Sequence, residues 1–94
     1  MIFYIYGVDQ SVRGGHRHIE TIQAAICIAG SCNIKTSNGI KEEVFKLSRP
    51  DQCLILRPED WHQMEAFSMD AILMVLASTE YSPMDYIYEQ YTHG

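Results

Sequence analysis

Residues 22–36 read Ile22-Gln23-Ala24-Ala25-Ile26-Cys27-Ile28-Ala29-Gly30-Ser31-Cys32-Asn33-Ile34-Lys35-Thr36, with the isoleucines at even positions. Successive side chains of a strand point to opposite faces of the sheet, so this alternation predicts a strand, with Gly30 marking a bend or a bulge. The same alternation, carried backwards through Glu20 as one continuous strand, puts His16 and His18 on the isoleucine face. We therefore expect both imidazoles to point inward.

Further strand signals, rich in β-branched and aromatic residues, occur at 3–8, 43–47, 53–57 and 70–77. Turn residues separate these segments, which favours an all-β barrel or sandwich. Segment 70–77 is apolar on both faces, as expected of a strand that packs on a core inside and on a dimer partner outside. Ser82-Pro83-Met84-Asp85 predicts a short C-terminal helix, with Ser82 as its N-cap and Asp85 reaching back in a capping box.

The composition excludes several classes of partner. The 94 residues include 7 basic and 12 acidic side chains, for a net charge of −5, so we expect neither a nucleic acid nor a membrane surface as partner. No apolar run approaches the roughly 20 residues that a membrane span needs. Cys27, Cys32 and Cys53 are odd in number and lack CxxC spacing, so we expect buried thiols in a reducing cytoplasm.

Three histidines are the candidate chemical groups. His16 and His18 stand two apart in Arg13-Gly14-Gly15-His16-Arg17-His18, and a third follows in Pro58-Glu59-Asp60-Trp61-His62. Residues i and i+2 of a strand share a face, so the first two imidazoles would lie side by side. Histidine exchanges protons near neutral pH, and neutral imidazole is also the commonest metal ligand. The pattern therefore predicts either proton transfer or a metal site.

Beyond these residues, a series of short motifs resembles the sugar-nucleotide 3,4-ketoisomerases, the WxcM-like cupins. The motifs follow in the family's order over nearly the whole chain: Tyr4-Ile5-Tyr6-Gly7-Val8, Arg13-Gly14-Gly15-His16-Arg17-His18, Gly30-Ser31, Trp61-His62-Gln63-Met64, Phe67-Ser68, Met74-Val75-Leu76-Ala77-Ser78, and Tyr81 with Asp85-Tyr86-Ile87. The resemblance implies a cupin-type double-stranded β-helix, a jelly-roll barrel. It also implies a single domain over residues 1–94 that lacks the N-terminal strand region of the family.

The implied activity moves the ketone of a dTDP-linked 4-keto-6-deoxyhexose from C4 to C3 through an enediol. The family does this without metal or other cofactor, in a cytoplasmic homodimer, on the way to 3-amino-3,6-dideoxy sugars of the kind found in O-antigens and S-layer glycans. A proton next to a ketone is acidic enough for a base of pKa near 7 to remove. We predict His16 as that base and His18 as the group that shuttles the proton.

Four further residues are predicted to contact the substrate. Arg13 or Tyr4 would donate a hydrogen bond to the enediolate oxygen. His62, from an opposing strand, would contact the sugar. Arg57, at a strand end beside Pro58, would meet a nucleotide phosphate, although an exposed arginine without a ligand fits the same position.

Two other functions remain open. A metal-dependent cupin enzyme would use His16, His18 and His62 as ligands, as in three-histidine zinc sites. Metal cupins generally add a carboxylate four residues after the second histidine, and that position is Ile22 here, while Glu20 has the wrong spacing. A non-catalytic sugar-nucleotide-binding cupin is favoured by the missing N-terminal region.

Overall fold

Two antiparallel β-sheets make up the computed structural model, which describes residues 1–8 and 11–91. The strands of this part of the chain are β1 Ile2–Tyr6, β2 Arg13–His18, β3 Gln23–Ala29, β4 Cys32–Ser37, β5 Glu42–Leu47, β6 Leu54–Leu56, β7 Trp61–Glu65, β8 Ile72–Ala77 and β9 Tyr86–Ile87. One sheet has the order β1-β8-β3-β6, and the other has the order β5-β4-β7-β2-β9. The predicted all-β class is confirmed. Residues 92–94 of the predicted domain lie outside the described residues.

The core lies between the two sheets. It is built from apolar side chains with little or no exposure: Val8, Ala25, Cys27, Cys32, Ile34, Leu47, Leu56, Met64, Phe67, Ala71, Leu73 and Val75. Phe3, Ile5 and Leu54 pack against this cluster and are partly buried. Burial of this apolar surface is the main stabilising contribution to the fold.

The isoleucine face of β3 turns outward, contrary to the prediction. Ala25 and Cys27 are fully buried, whereas Ile22 and Ile28 are exposed. Both faces of β3 are apolar, so the alternation did not decide which one is inside. The predicted continuity of β2 and β3 was also wrong: the chain bends between them, and the backbone N–H groups of Ile19 and Glu20 donate to a side chain from the far end of the sequence. The alternation is therefore interrupted, and the histidines do not share a face with the isoleucines.

The predicted C-terminal helix is a single 3-10 turn at Pro83–Asp85, followed directly by β9. Ser82 makes no side-chain capping bond, and Asp85 is buried. Asp85 does not form the predicted capping box, because its carboxylate accepts hydrogen bonds from the corner between β2 and β3.

The cysteines are free thiols, but only two of them are buried. Cys27 and Cys32 lie in the core, where burial and the neighbouring Cys27 raise the pKa of Cys32 to about 12. Cys53 is exposed just before β6, so the expectation of three buried thiols was wrong for this residue. Among the described residues, no helix is long and apolar enough to cross a membrane.

Candidate active site

Two glycines bring β2 close to its neighbour β7. Gly14 and Gly15 both have a φ of +82°, a region that glycine enters at little cost. A Cβ atom on Gly14 would lie 3.0 Å from the carbonyl oxygen of His62 and 3.6 Å from its ring. The register between β2 and β7 shifts between Gly14 and His16, and His16 then pairs directly with His62. This irregularity places the two histidines opposite each other on neighbouring strands, with their rings edge to face.

The three histidines form one cluster, as predicted. The ring centroids are 4.9 Å apart for His16 and His18, 4.7 Å for His16 and His62, and 5.9 Å for His18 and His62. The candidate ligand atoms of the three rings all lie within 4.8 Å of one another. Within residues 1–8 and 11–91, no carboxylate joins this group.

A cavity of about 120 Å³ opens beside the cluster, between the two sheets. Its lining comes from five strands of the two sheets: Phe3, Ile5, Gly14, His16, Gln23, His62, Met64 and Tyr86. The ring of Tyr86 lies 4.5 Å from that of His16 and 4.7 Å from that of His18, centroid to centroid. His16 and His62 therefore face a pocket with apolar walls and a few polar groups, as in small-molecule sites.

Asp85 fixes the proton on His18. The Nδ1–H of His18 donates to Asp85 Oδ2 at 2.9 Å, and both side chains are buried. A carboxylate can only accept, so the proton belongs on Nδ1 and the lone pair on Nε2. His18 Nε2 is buried and has no hydrogen-bond partner in the described part of the chain. This nitrogen is free to accept a proton from a ligand.

The carboxylate of Asp85 is held by several donors. It accepts from the backbone N–H of Ile19 at 3.2 Å, from that of Glu20 at 2.9 Å and from the hydroxyl of Thr21. Burial by itself raises the pKa of Asp85, but the hydrogen bonds from Thr21, Glu20 and His18 outweigh it and lower the pKa to about 2. Asp85 is therefore ionised at neutral pH, as the partner of a histidine base should be.

His62 and His16 are neutral in this environment. His62 is 1% exposed, and its Nδ1–H donates to the carbonyl oxygen of Asp60 at 3.1 Å. Burial lowers the pKa of His62 to about 4, although that hydrogen bond partly opposes the change. Burial, and then the neighbouring charge of His18, lower the pKa of His16 to about 4 as well. A protonated imidazole is disfavoured at both positions.

The other predicted substrate residues lie away from this cavity. Tyr4 is 52% exposed on the outer face of the four-stranded sheet, since its neighbours Phe3 and Ile5 take the inward positions of β1. Arg13 is exposed at the start of β2. Arg57 is exposed after β6, next to Pro58, whose carbonyl oxygen accepts from the N–H of His18 at 3.0 Å. Their contacts with substrate remain predictions.

Sequence reasoning did not select Asp85, Gln23 or Tyr86 as site residues. Asp85 was assigned to a helix cap, and Gln23 fell on the face expected to be outward. The Asp85-Tyr86-Ile87 motif contributes to the family resemblance, and it is the signal in the sequence that could have placed this segment at the site.

Comparison with known proteins identifies the family of this barrel. The family model described as "FdtA: WxcM-like, C-terminal" matches residues 1–93. The chain belongs to this family. The predicted family and cupin-type fold are thereby confirmed.

Two proteins that this chain is similar to are named as 3,4-keto- or 3,4-oxoisomerases. A curated relative, the TDP-4-oxo-6-deoxy-alpha-D-glucose-3,4-oxoisomerase of Aneurinibacillus thermoaerophilus, is 36% identical over 87 residues, which are 92% of this chain and 63% of the relative. The crystal structure of WlaRA, a TDP-fucose-3,4-ketoisomerase from Campylobacter jejuni, is 37% identical with a TM-score of 0.92, over 95% of this chain and 67% of that one.

A ligand complex is also known among these relatives. A histidine-to-asparagine mutant of the 3,4-ketoisomerase QdtA from Thermoanaerobacterium thermosaccharolyticum was solved with TDP-4-keto-6-deoxyglucose. It is 33% identical with a TM-score of 0.92, over 95% of this chain and 65% of that one. The chain thus spans about two thirds of the length of its relatives.

Proposed function

We propose that this protein is a sugar-nucleotide 3,4-ketoisomerase that moves the ketone of a dTDP-linked 4-keto-6-deoxyhexose from C4 to C3. The observation that carries the proposal is the buried pair of His18 and Asp85. The unpartnered Nε2 of His18 lies in the cluster of three histidines. The relatives named as TDP-sugar ketoisomerases support the substrate class.

The reaction needs only proton transfers. The C4 ketone acidifies the hydrogen on C3, a base removes it, and the electrons form an enediolate across C3 and C4. Return of a proton to C4, loss of the hydroxyl proton from the C3 oxygen and gain of a proton by the C4 oxygen leave a ketone at C3 and a hydroxyl at C4. No electron leaves the substrate, so the overall change is an isomerisation.

We assign the base to His18 in place of His16. A base works best when its protonated form is stabilised and its pKa is near the working pH. Asp85 holds the proton of His18 on Nδ1 and leaves the lone pair on Nε2, whereas burial lowers the pKa of His16 to about 4. His16 lies between His18 and His62, and we assign it the relay of protons between the sugar oxygens and C4.

Four substrate contacts remain part of the proposal. His62 lines the cavity, and its unpartnered Nε2 is suited to accept a hydrogen bond from a sugar hydroxyl. Arg57 follows β6 beside the backbone that contacts His18, which supports a role in holding the diphosphate. Arg13 and Tyr4, predicted as donors to the enediolate oxygen, are both exposed and outside the cavity, so we reassign them to the nucleotide end of the substrate.

We also propose a homodimer in the cytoplasm. The outer face of the four-stranded sheet carries exposed apolar side chains from all four strands, including Ile2, Tyr4, Leu76, Ile28 and Ile55. A monomeric protein rarely exposes a continuous apolar face of this kind. A second copy, paired face to face about a two-fold axis, would cover it. The three free thiols suit a reducing compartment.

Incubation with TDP-4-keto-6-deoxyglucose in D₂O tests the function. We expect NMR to show conversion to the 3-keto isomer with deuterium at C4, and deuterium at C3 in the 4-keto sugar that re-forms by the reverse reaction. His18→Asn should abolish conversion, and His16→Asn should reduce it less. Retained conversion in His18→Asn would remove that residue from the base role. An inert wild-type protein would contradict the proposed activity itself.

A metal-dependent enzyme is the second candidate, and one specific observation favours it. Asp85 and the Asp60 carbonyl orient the rings of His18 and His62 in the way that outer-sphere partners orient metal-bound histidines. With His16 these rings would present three nitrogen ligands and leave a position open for water or substrate. Metal analysis of the purified protein separates the two candidates: one equivalent per chain, lost together with activity on chelation, would favour the metal enzyme.

A further inference from the structure

Gln23 is a buried polar side chain for which the fold provides incomplete pairing. It is 3% exposed at the start of β3, where the next residues on its face, Ala25 and Cys27, belong to the apolar core. Its Oε1 atom is buried and accepts no hydrogen bond from any described residue. A buried acceptor without a partner destabilises a fold, so such groups in native structures call for an explanation.

The position of Gln23 points to a ligand. Its side chain lines the cavity of about 120 Å³ together with His16 and His62. It also borders a second, much smaller cavity of about 10 Å³ that His18 and Asp85 line. Gln23 therefore shares a cavity wall with each of the three histidines and with the carboxylate that orients one of them.

We infer that the carboxamide of Gln23 binds the hydroxyketone of the substrate, an inference that rests on the proposed ketoisomerase function. A carboxamide presents an N–H donor beside a carbonyl acceptor. An α-hydroxyketone presents the complementary pair on adjacent carbons, a ketone oxygen that accepts and a hydroxyl that donates. Isomerisation exchanges the two groups, so the same side chain can serve substrate and product after its amide turns over.

The amide also suits the intermediate. Negative charge develops on the ketone oxygen when the base removes the proton from C3, and a fixed N–H donor stabilises that charge more than it stabilises the neutral ketone. An amide does not titrate, so it supplies this donor at every working pH, whereas His16 and His62 are neutral rings with one proton each. Gln23 thus acts as a catalytic residue that touches the reacting atoms.

Gln23→Met tests the inference, because it removes both polar atoms and keeps the length of the side chain. We expect kcat to fall about 100-fold, within the range found for loss of one oxyanion donor. Binding of TDP alone, measured by calorimetry, should stay unchanged, and the melting temperature should not fall. Gln63→Met is the matched control, since Gln63 lies in a groove on the outer face of the five-stranded sheet with Lys35 and Val44. It should keep wild-type kcat.

Two further measurements make the outcome decisive. If Gln23→Met fails to fold, Gln23→Asn, which retracts the amide by one carbon, should show the same loss of kcat. Calorimetry on the wild type should show tighter binding of TDP-4-keto-6-deoxyglucose than of TDP-6-deoxyglucose, and the glutamine variant should lose this preference. Turnover equal to wild type, or an unchanged preference for the ketone, would overturn the inference. An inert wild type that still shows the glutamine-dependent preference would overturn the ketoisomerase function and leave the hydroxyketone contact standing.

Discussion

At the scale of single residues, the contact with Asp85 decides which ring nitrogen of His18 carries the proton. An asparagine at position 85 would offer an N–H in place of an acceptor, and His18 would then carry its proton on Nε2, the nitrogen that has no partner among the described residues. We expect Asp85→Asn to lower kcat by at least about 100-fold with little change in KM, because the base would no longer have a free lone pair. Steady-state kinetics and the ¹⁵N shifts of the His18 ring measure the two effects.

Asp70→Asn provides a control for this substitution. Asp70 is exposed and accepts from the hydroxyl of Ser68 at 2.8 Å, away from the cavity. It should keep wild-type kinetics. Since Asp85 also accepts backbone hydrogen bonds, its variant should melt at a lower temperature; a lower melting point with an unchanged His18 tautomer and unchanged kcat would assign Asp85 a purely structural role.

The burial of His62 makes the stability of the protein depend on pH. Its pKa is lowered from 6.5 to about 4 in the folded protein, so below pH 6.5 the unfolded chain binds a proton that the folded chain does not. The free energy of unfolding should therefore decrease as the pH falls from 6.5 to 4, by on the order of 2 to 3 kcal/mol from this residue. Urea unfolding at several pH values should show a smaller decrease for His62→Gln, and an equal decrease would contradict the assignment.

At the scale of elements, the connection between β3 and β4 depends on a glycine. Gly30 has a φ of +65°, and a Cβ there would lie 2.3 Å from Ser68 Oγ and 2.9 Å from the backbone of Ala71. We expect Gly30→Ala to destabilise the protein by about 2 to 4 kcal/mol, because left-handed strain adds to a steric clash. Urea unfolding gives the measurement.

Gly7→Ala is the matched control for that turn. Gly7 has nearly the same φ, +64°, but a Cβ there would meet nothing within 4 Å. Gly7→Ala should lower the free energy of unfolding only by the cost of the left-handed backbone conformation, about 1 kcal/mol. Equal losses at both positions would show that close packing around Gly30 contributes nothing.

At the scale of the whole molecule, the apolar outer face of the four-stranded sheet predicts the state of assembly. Ile26 lies on this face at the middle of the sheet, opposite Met74 in register. We expect light scattering after size exclusion to give about twice the 10.8 kDa of one chain for the wild type and 10.8 kDa for Ile26→Asp. A charge buried between two apolar sheets without a partner would prevent their association.

Val44→Asp controls for the effect of an added charge. Val44 is exposed on the other sheet, in the groove that Gln63 lines, and the variant should remain a dimer. A wild type that runs as a monomer would contradict the proposed assembly.

The sequence by itself determined that the chain is all-β, that His16 and His18 share one strand face, and that the motifs are those of the WxcM-like family. Alternation of period two is a local property, so it survives in any arrangement of the strands. It defines two faces of a strand without saying which is inside when both are apolar, and for that reason the inward face of β3 was assigned incorrectly.

Only the tertiary structure decided which polar groups lie beside the histidines and bind them. Asp85 lies 67 residues from His18 along the chain, and its carboxylate meets the imidazole because the segment after β8 returns to the corner between β2 and β3. That corner breaks the alternation, turns Gln23 inward and sends the isoleucines outward. Contacts between such distant positions depend on how the sheets close on each other, and no local pattern of residues encodes that closure.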